Sequence, residues 1–249
     1  MTDIIGSVAS EMSLWLLVGA MTAGVVRGFS GFGTAMIYLP VAGTQMSPVA
    51  ALTTLAVMDL VGPLMLAPRI VRNADVGDVM RLSAGALAML PLGVFLLLLM
   101  AAEVFRYAVS SITLVLLALL ISGIRYEGSL SRPLVYGAGG IGGLFAGSVG
   151  LPGPPVIMLY LASSLPVVAV RANLFIYLIV ADIMLLGVLA FNGQLHVAHV
   201  ALGLAIALPF VAAMGIGSLI FRPEKERVYR FVAYGIIATS AVLGLPVLN

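Results

Sequence analysis

The sequence predicts an all-α polytopic membrane protein made of two inverted repeats, each a broken or re-entrant helix hairpin followed by three transmembrane helices. The first observation is composition: 62% of the 249 residues are hydrophobic and 9% are charged, against about 25% charged in a typical soluble domain. A surface so poor in charge excludes an ordinary soluble enzyme, a disordered protein and a nucleic-acid binder. The other two observations are a series of long apolar runs and a pair of glycine-rich interruptions.

Six apolar runs are long enough to cross a membrane, because a hydrocarbon core of about 30 Å requires roughly 20 helical residues. They cover residues 48–67, 82–102, 107–123, 166–191, 197–220 and 231–248. Two of them contain a carboxylate, Asp59 in the first and Asp182 in the fourth. Each half of the chain therefore supplies three predicted transmembrane helices.

Two further apolar regions, residues 12–46 and 133–165, are predicted to be broken helices. Glycine, proline and polar residues interrupt the first at 27–33 and the second at 147–155, and residues of this kind end helices. Non-helical backbone at membrane depth is tolerated where it is buried in protein or lines a wet cavity. Two breaks in corresponding places therefore predict a binding site.

The breaks are also evidence for an internal repeat. Gly28-x-x-Gly31 recurs as Gly147-x-x-Gly150, 119 residues later, and the same offset places Thr54 opposite Asn173. We therefore predict a first repeat at residues 1–123, a linker at 124–132 and a second repeat at 133–249. The alternative is that two halves of one membrane protein share a composition without being repeats.

Loop charge predicts the topology. If each broken segment returns to its own side, nine basic residues share one face and only Arg106 lies on the other. If each segment crosses once, the ten residues divide evenly. The first arrangement satisfies the positive-inside rule and makes the repeats inverted, with the basic loops and the linker cytoplasmic and both termini outside. The nine are Arg69, Arg72, Arg81, Arg125, Arg132, Arg222, Lys225, Arg227 and Arg230.

Each break is expected to end at a helix N-terminus, where free backbone N–H groups and the helix dipole favour an anion. Glycine lets the backbone approach a ligand closely. The alternative is that these small residues pack helices together. The predicted substrate-binding residues are Arg27, Gly28, Ser30, Gly31, Gly33, Thr34, Thr54, Gly150, Leu151, Gly153, Arg171 and Asn173.

The charged residues inside the apolar segments have alternative interpretations. Arg27 could attract the anion or form a buried ion pair with Asp59, since a charge in mid-bilayer requires a purpose or a partner. Arg171 could bind the anion or extend to the interface. Asp59 and Asp182 could couple transport to protons or cations, or could be structural partners of basic groups.

Chemistry other than binding finds little support. The chain has no cysteine and two histidines, so we expect no metal and no cofactor, and no nucleophile–base pairing suggests an enzyme. We interpret Tyr38, Tyr160 and Tyr177 as packing residues. The expected partners are a small anionic substrate, the lipid bilayer, protons as coupling ion and a second copy of the chain, but no nucleic acid.

The two glycine motifs, with Pro40 after the first, resemble those of the TauE/SafE family of sulfite and sulfonate permeases, also called the 4-toluenesulfonate uptake permease family. The stretches Pro48-x-Ala-x-x-x-Thr54 and Pro166-x-x-Ala-x-x-x-Asn173 are similar to the segments that follow each motif there. The resemblance covers nearly the whole chain and implies movement of small anions, often sulfur oxyanions or sulfonates, across a bacterial inner membrane.

These observations together predict a secondary transporter for a small oxyanion, sulfite or an organosulfonate before a carboxylate, working by alternating access. Three alternatives remain at this point. They are a passive anion channel, a membrane subunit of a larger complex and an intramembrane enzyme.

Overall fold

The computed structural model describes residues 12–122, 130–160, 165–222, 224 and 226–248. Every regular element in these residues is helical. The helices are α1 (Leu14–Ser30), α2 (Thr34–Ala42), α3 (Pro48–Ile70), α4 (Val76–Leu99), α5 (Ala102–Ser122), α6 (Arg132–Val149), α7 (Gly153–Tyr160), α8 (Val167–Phe191), α9 (Val197–Ile220) and α10 (Glu226–Leu243), with 3₁₀ turns at Val71–Asn73 and Pro246–Leu248. The all-helical prediction is confirmed for the described residues.

Four of the described helices, α4, α5, α8 and α9, are long and apolar enough to cross a membrane. Large apolar side chains on their outer faces are exposed, among them Phe191, Leu208 and Leu219. Water would make such exposure unfavourable, whereas lipid does not, because the tails are as apolar as the side chains. These helices therefore have the character of membrane spans.

Both predicted breaks are present, but each is three residues long. Helix α1 ends at Ser30, and Gly31 follows with φ 79°, its N–H donating to the carbonyl of Arg27 at 2.9 Å. Gly33 has φ 97°, and α2 begins at the next residue. In the second half Gly150 has φ 69°, and α7 begins three residues later. Glycine is required at these positions because other residues rarely adopt positive φ.

The breaks are shorter than the sequence predicted, since residues 27–30 and 147–149 are helical. The glycines of these stretches pack helices instead of breaking them. A Cβ atom on Gly28 would lie 2.2 Å from the carbonyl oxygen of Met214 on α9, and one on Gly147 would lie 2.4 Å from that of Leu90 on α4. The packing alternative therefore describes Gly28 and Gly147.

Several helices extend past the ends of their apolar runs. Helix α4 begins at Val76, six residues before the predicted span, because Asp75 Oδ1 caps it by accepting the N–H of Asp78 at 3.0 Å. Asp78 also pairs with Arg81, one turn later, at 2.7 Å. Helix α10 likewise begins at residue 226, not 231. Charged residues end an apolar run without ending the helix.

The described residues form two compact units. The first contains the described parts of residues 1–61, 100–118 and 195–249, and the second those of 62–99 and 119–194. The hairpin α1–α2 packs in the first unit with α9 and α10, and the hairpin α6–α7 packs in the second with α4 and α8. Each unit thus combines a hairpin from one half of the chain with helices from the other.

The division of the chain into two repeats and a linker stays a prediction. Residues 123–129, which include most of the predicted linker and Arg125, lie outside the described residues, as do residues 161–164 of the second broken segment and Lys225.

Candidate functional site

The first break carries a cluster of three buried polar side chains. Arg27, in the last turn of α1, is 7% exposed, and its Nη1 lies 3.5 Å from Oδ2 of Asp59, which is 8% exposed on α3. Thr34, the first residue of α2, donates its hydroxyl to Asp59 Oδ1 at 3.3 Å. One carboxylate thus contacts both arms of the hairpin. The ion-pair alternative for Arg27 is present, and its role toward substrate stays a prediction.

Both contacts to Asp59 are long. Charge-assisted N–H···O bonds are typically about 2.7–2.9 Å and often bidentate, whereas here the nearest guanidinium nitrogen lies at 3.5 Å. Asp59 therefore does not hold the guanidinium of Arg27 in a short, bidentate geometry.

Ser30 and the two glycines form the turn itself. Ser30 Oγ lies 2.7 Å from the carbonyl oxygen of Val26 and 2.8 Å from that of Phe32, and it accepts the N–H of Phe32 at 3.3 Å. Gly31 is exposed, and apart from its neighbours in the chain no described residue lies within 4 Å of the place its Cβ would occupy. The break therefore has open space on one side and an ordered turn on the other.

The N-terminus of α2 offers backbone donors beside this cluster. Its first helical hydrogen bond runs from Ile37 N–H to Gly33 O at 3.1 Å, and Gly33 has no side chain with which to cap the helix. The N–H groups of the first turn therefore have no partner within the helix. These backbone donors and the guanidinium of Arg27 surround the carboxylate of Asp59 at this end of α2.

Thr54 lies on α3 and is fully buried. Its hydroxyl accepts the phenol O–H of Tyr38 at 3.0 Å and lies within 3.0 Å of the carbonyl oxygens of Ala50 and Ala51. The observed contacts join α2 to α3, which is the helix-joining alternative, and substrate binding by Thr54 stays a prediction.

The second break is more closed. Gly150, Leu151 and Gly153 are buried, and Leu151 donates its N–H to the carbonyl oxygen of Phe145 at 3.1 Å. That amide is thus committed to ending α6. At Gly153 a Cβ would contact only the ends of two apolar side chains, Ile157 and Leu178, at 3.5 Å or more.

Asn173 is fully buried on α8, and protein groups use both ends of its amide. Oδ1 accepts the backbone N–H of Asp75 at 2.7 Å, and Nδ2 donates to the phenol oxygen of Tyr160 at 3.0 Å. Arg171, two residues earlier, is exposed, and Asp182, three turns later on the same helix, is buried. The roles of these three residues toward substrate or coupling stay predictions.

The structure therefore brings together Arg27, Ser30, Gly31, Gly33, Thr34 and Asp59 in the first unit, with Thr54 little more than a turn before Asp59. The second unit contains the other predicted site residues, which are Gly150, Leu151, Gly153, Arg171, Asn173 and Asp182.

The sequence analysis did not identify Tyr38 and Tyr160 as hydrogen-bond partners of Thr54 and Asn173. Each tyrosine is a residue with a polar hydroxyl in an otherwise apolar short helix, α2 or α7, and that is the signal that could have identified them. Among the described residues, no group of three His, Asp or Glu side chains could hold a metal ion.

Long apolar helices with exposed leucine and phenylalanine, interrupted by glycine turns that carry buried charges, define a polytopic helical membrane protein. The chain belongs to the family described as sulfite exporter TauE/SafE, whose pattern matches residues 16–243. It is similar to a protein of Cupriavidus necator named "Probable sulfite/organosulfonate exporter TauE", with 30% identity over 254 residues that cover 96% of this chain and 95% of the relative.

No solved structure matches this chain. Members of the family are transporters and not enzymes. The resemblance seen in the glycine motifs is thereby confirmed, and the protein is a membrane transporter.

Proposed function

We propose that this protein is a secondary transporter that moves a small oxyanion, sulfite or an organosulfonate, across the bacterial inner membrane by alternating access. The observation that carries the proposal is the buried Arg27, held loosely by Asp59 beside the free N-terminus of α2. The name of the Cupriavidus necator relative supports a sulfur oxyanion as the cargo.

The chemistry of this cluster suits an oxyanion. An arginine in mid-membrane costs at least about 2.5–3.5 kcal/mol on insertion scales, so the ion pair with Asp59 at 3.5 Å is modest compensation. A sulfite or sulfonate group presents three oxygens, enough to engage both arms of the guanidinium and a backbone N–H of α2 at once. The anion would then compete with Asp59 for Arg27.

The length of the short arm supports a position deep in the membrane. Helix α2 has nine residues, which corresponds to about 14 Å at 1.5 Å per residue, close to half of a 30 Å core. The loop that follows α2 is expected at the outer surface, so the break would lie near the membrane midplane. Helix α7, with eight residues, gives a similar depth from the cytoplasmic side.

Two contacts support the hairpin topology and hence inverted repeats. Arg106 Nε donates to Gly244 O at 3.3 Å, and Asp75 N–H donates to Asn173 Oδ1 at 2.7 Å. If each broken segment crossed the membrane once, the members of both pairs would belong to opposite faces. With returning hairpins, the first pair lies outside and the second lies at the cytoplasmic side. The order of a long arm, a short arm and three helices also recurs in α1–α5 and α6–α10.

Asp59 would couple this site to protons. When an anion replaces Asp59 as the ion-pair partner of Arg27, the carboxylate is left without a counter-charge in a low-dielectric environment. Protonation of Asp59 removes that penalty and frees Arg27, so proton and anion should move together. Asp182 is the second candidate for coupling.

The experiment is transport of labelled sulfite, taurine and isethionate into proteoliposomes with purified protein. We expect saturable uptake, counterflow and stimulation by an inward proton gradient, and at least a tenfold loss in Arg27→Gln, since hydrogen bonds to charged groups contribute about 1.5–3 kcal/mol. Arg227→Gln is the matched control, because Arg227 is exposed in the first turn of α10. Flux without saturation or counterflow would instead indicate a channel, and full activity of Arg27→Gln would remove the proposed site.

A further inference from the structure

Arg106 is the exception to the charge asymmetry of the chain. It lies on α5, on the face predicted to carry no other basic loop residue. A basic residue that departs from the positive-inside pattern is not explained by topology. Its hydrogen bond to Gly244 does not involve the cluster of Arg27, Thr34 and Asp59, so the proposed transport site does not account for it.

Arg106 lines an open cavity of about 540 Å³ within the first compact unit. The cavity is formed by the loop between α2 and α3, the first two turns of α5 and the turn after α10. Its lining consists of Gly43, Thr44, Gln45, Met46, Ser47, Ala102, Glu103, Arg106 and Pro246. The volume falls within the range of about 300–1,000 Å³ that small-molecule sites occupy.

The guanidinium of Arg106 is fixed but not neutralised. Its Nε donates to the carbonyl oxygen of Gly244 at 3.3 Å, and its Cγ lies 3.4 Å from where a Cβ on Gly43 would be. The buried Nη2 has no hydrogen-bond partner among the described residues, and no described carboxylate pairs with it within 4.0 Å. The Nε of Arg106 is therefore anchored, while the buried Nη2 has no partner and no described carboxylate neutralises the charge.

The start of α5 adds backbone donors to the same cavity. The first helical bond runs from Phe105 N–H to the carbonyl of Ala101 at 3.0 Å. Ala101, the residue before the helix, has no side-chain acceptor for the N–H groups of the first turn, which lie between it and Phe105. Helix α5 is 21 residues long, and the positive end of its dipole lies at the cavity. The hydroxyl and amide groups of Thr44, Gln45 and Ser47 complete the polar lining.

We propose that this cavity is a second binding site for a small oxyanion, separate from the helix breaks and on the face opposite to the basic loops. Arg106 supplies the charge, and the first turn of α5 supplies N–H donors. Glu103 also lines the cavity and is exposed, so its carboxylate weakens anion binding. Such a site would hold the cargo briefly before loading or after release. The choice of sulfur oxyanions rests on the proposed function, but the binding itself does not.

Calorimetric titration of the purified protein with isethionate and with sulfite tests this proposal. We expect two sites in the unchanged protein and one in Arg106→Gln, or at least a tenfold weaker second site. Arg227→Gln, which loses the same charge at an exposed position outside the cavity, should retain both. Equal affinity and stoichiometry in Arg106→Gln and the unchanged protein would overturn the proposal.

Glu103→Gln gives an independent readout if loss of the Gly244 contact unfolds Arg106→Gln. Glu103 is exposed, so the variant should fold. Removing its negative charge near the guanidinium should lower the Kd for the anion in the Arg106 cavity, called the outer site below, about three- to fivefold. Unchanged or weaker binding would contradict an anion at Arg106. Arg27→Gln separates the two proposals, since it should remove the site at the break and leave the outer site intact even if no transport is found.

Discussion

Gly28→Ala tests whether Gly28 packs helices or contacts substrate. The added Cβ would lie 2.2 Å from the carbonyl oxygen of Met214 and 2.8 Å from the backbone nitrogen of Ser218. Neither backbone atom can move aside as a flexible side chain could, so α1 and α9 must separate by about 1 Å to restore van der Waals contact. Overpacking of this kind typically costs about 1–3 kcal/mol.

The same helix pair provides a matched control. Gly215 on α9 is exposed, and apart from the adjacent backbone of α9 no described residue lies within 4 Å of where its Cβ would be. Gly215→Ala therefore adds no clash and gains about 0.5–1 kcal/mol of helix propensity. The two variants make the same chemical change in one packed pair of helices, so any difference between them arises from the interhelical distance.

Thermal unfolding in detergent, followed by fluorescence-detected size exclusion, measures the effect. At roughly 2–4 °C per kcal/mol for a chain of this size, the apparent Tm of Gly28→Ala should fall by about 2–12 °C, and that of Gly215→Ala should stay equal or rise. Gly147→Ala, with its Cβ 2.4 Å from the carbonyl oxygen of Leu90, should behave like Gly28→Ala. A normal Tm for Gly28→Ala combined with weakened anion binding would refute the packing argument.

Three further predictions concern the site and the topology. Asp59→Asn should abolish stimulation of uptake by a proton gradient and lower the KM for the anion, because Arg27 then has no competing carboxylate; uptake in proteoliposomes measures both, and a preserved gradient effect would exclude Asp59 from coupling. Asn173→Ala should lower the apparent Tm by about 2–12 °C, since the buried phenol of Tyr160 loses the amide at about 1–3 kcal/mol, whereas the N–H of the exposed Asp75 loses it at little cost; an unchanged Tm with weaker anion binding would assign Asn173 to the site. The chain has no cysteine, so a single introduced cysteine reports on its own side of the membrane. In intact cells Gln45→Cys should react with an impermeant thiol reagent, whereas Arg227→Cys should react only after permeabilisation. The reverse pattern would show that the predicted orientation in the membrane is wrong.

Much of the fold could be predicted because lipid imposes a simple rule on sequence. Apolar runs of about 20 residues and clusters of glycine and proline are visible directly, and α8 and α9 begin and end within one residue of the predicted spans. Helix ends next to charged residues were less predictable. Whether Asp78 and Arg81 end α4 or extend it depends on the cap supplied by Asp75, which composition does not reveal.

The glycines show a second limit of sequence reasoning. Gly28 and Gly31 belong to one motif, yet Gly28 lies against the backbone of α9 and Gly31 adopts positive φ with open space around it. Both situations require a residue without a Cβ, so residue type alone does not separate them. The distinction depends on a neighbouring helix that lies far along the chain.

The site was predictable where a contact joins two charged side chains. Arg27 and Asp59 are such a pair, because each is a charged residue in one of two neighbouring apolar segments. It was not predictable where a partner is a backbone group. Asn173 bonds the N–H of a residue 98 positions away, and Arg106 bonds a carbonyl 138 positions away. Every residue has these backbone groups, so the sequence has no mark for the ones that are used.

The exchange of helices between the two halves has a consequence for biogenesis. The glycine face of α1 is complementary to α9, which the ribosome completes more than 180 residues later, or about 10–40 s at 5–20 residues per second. During that interval the first hairpin, with its arginine, must wait among lipids or insertase subunits without its final neighbours. Truncation after the first half of the chain should therefore leave that hairpin without its packing partners and accessible to membrane proteases. Expression of the second half from a separate gene should restore the amount of the first half in the membrane.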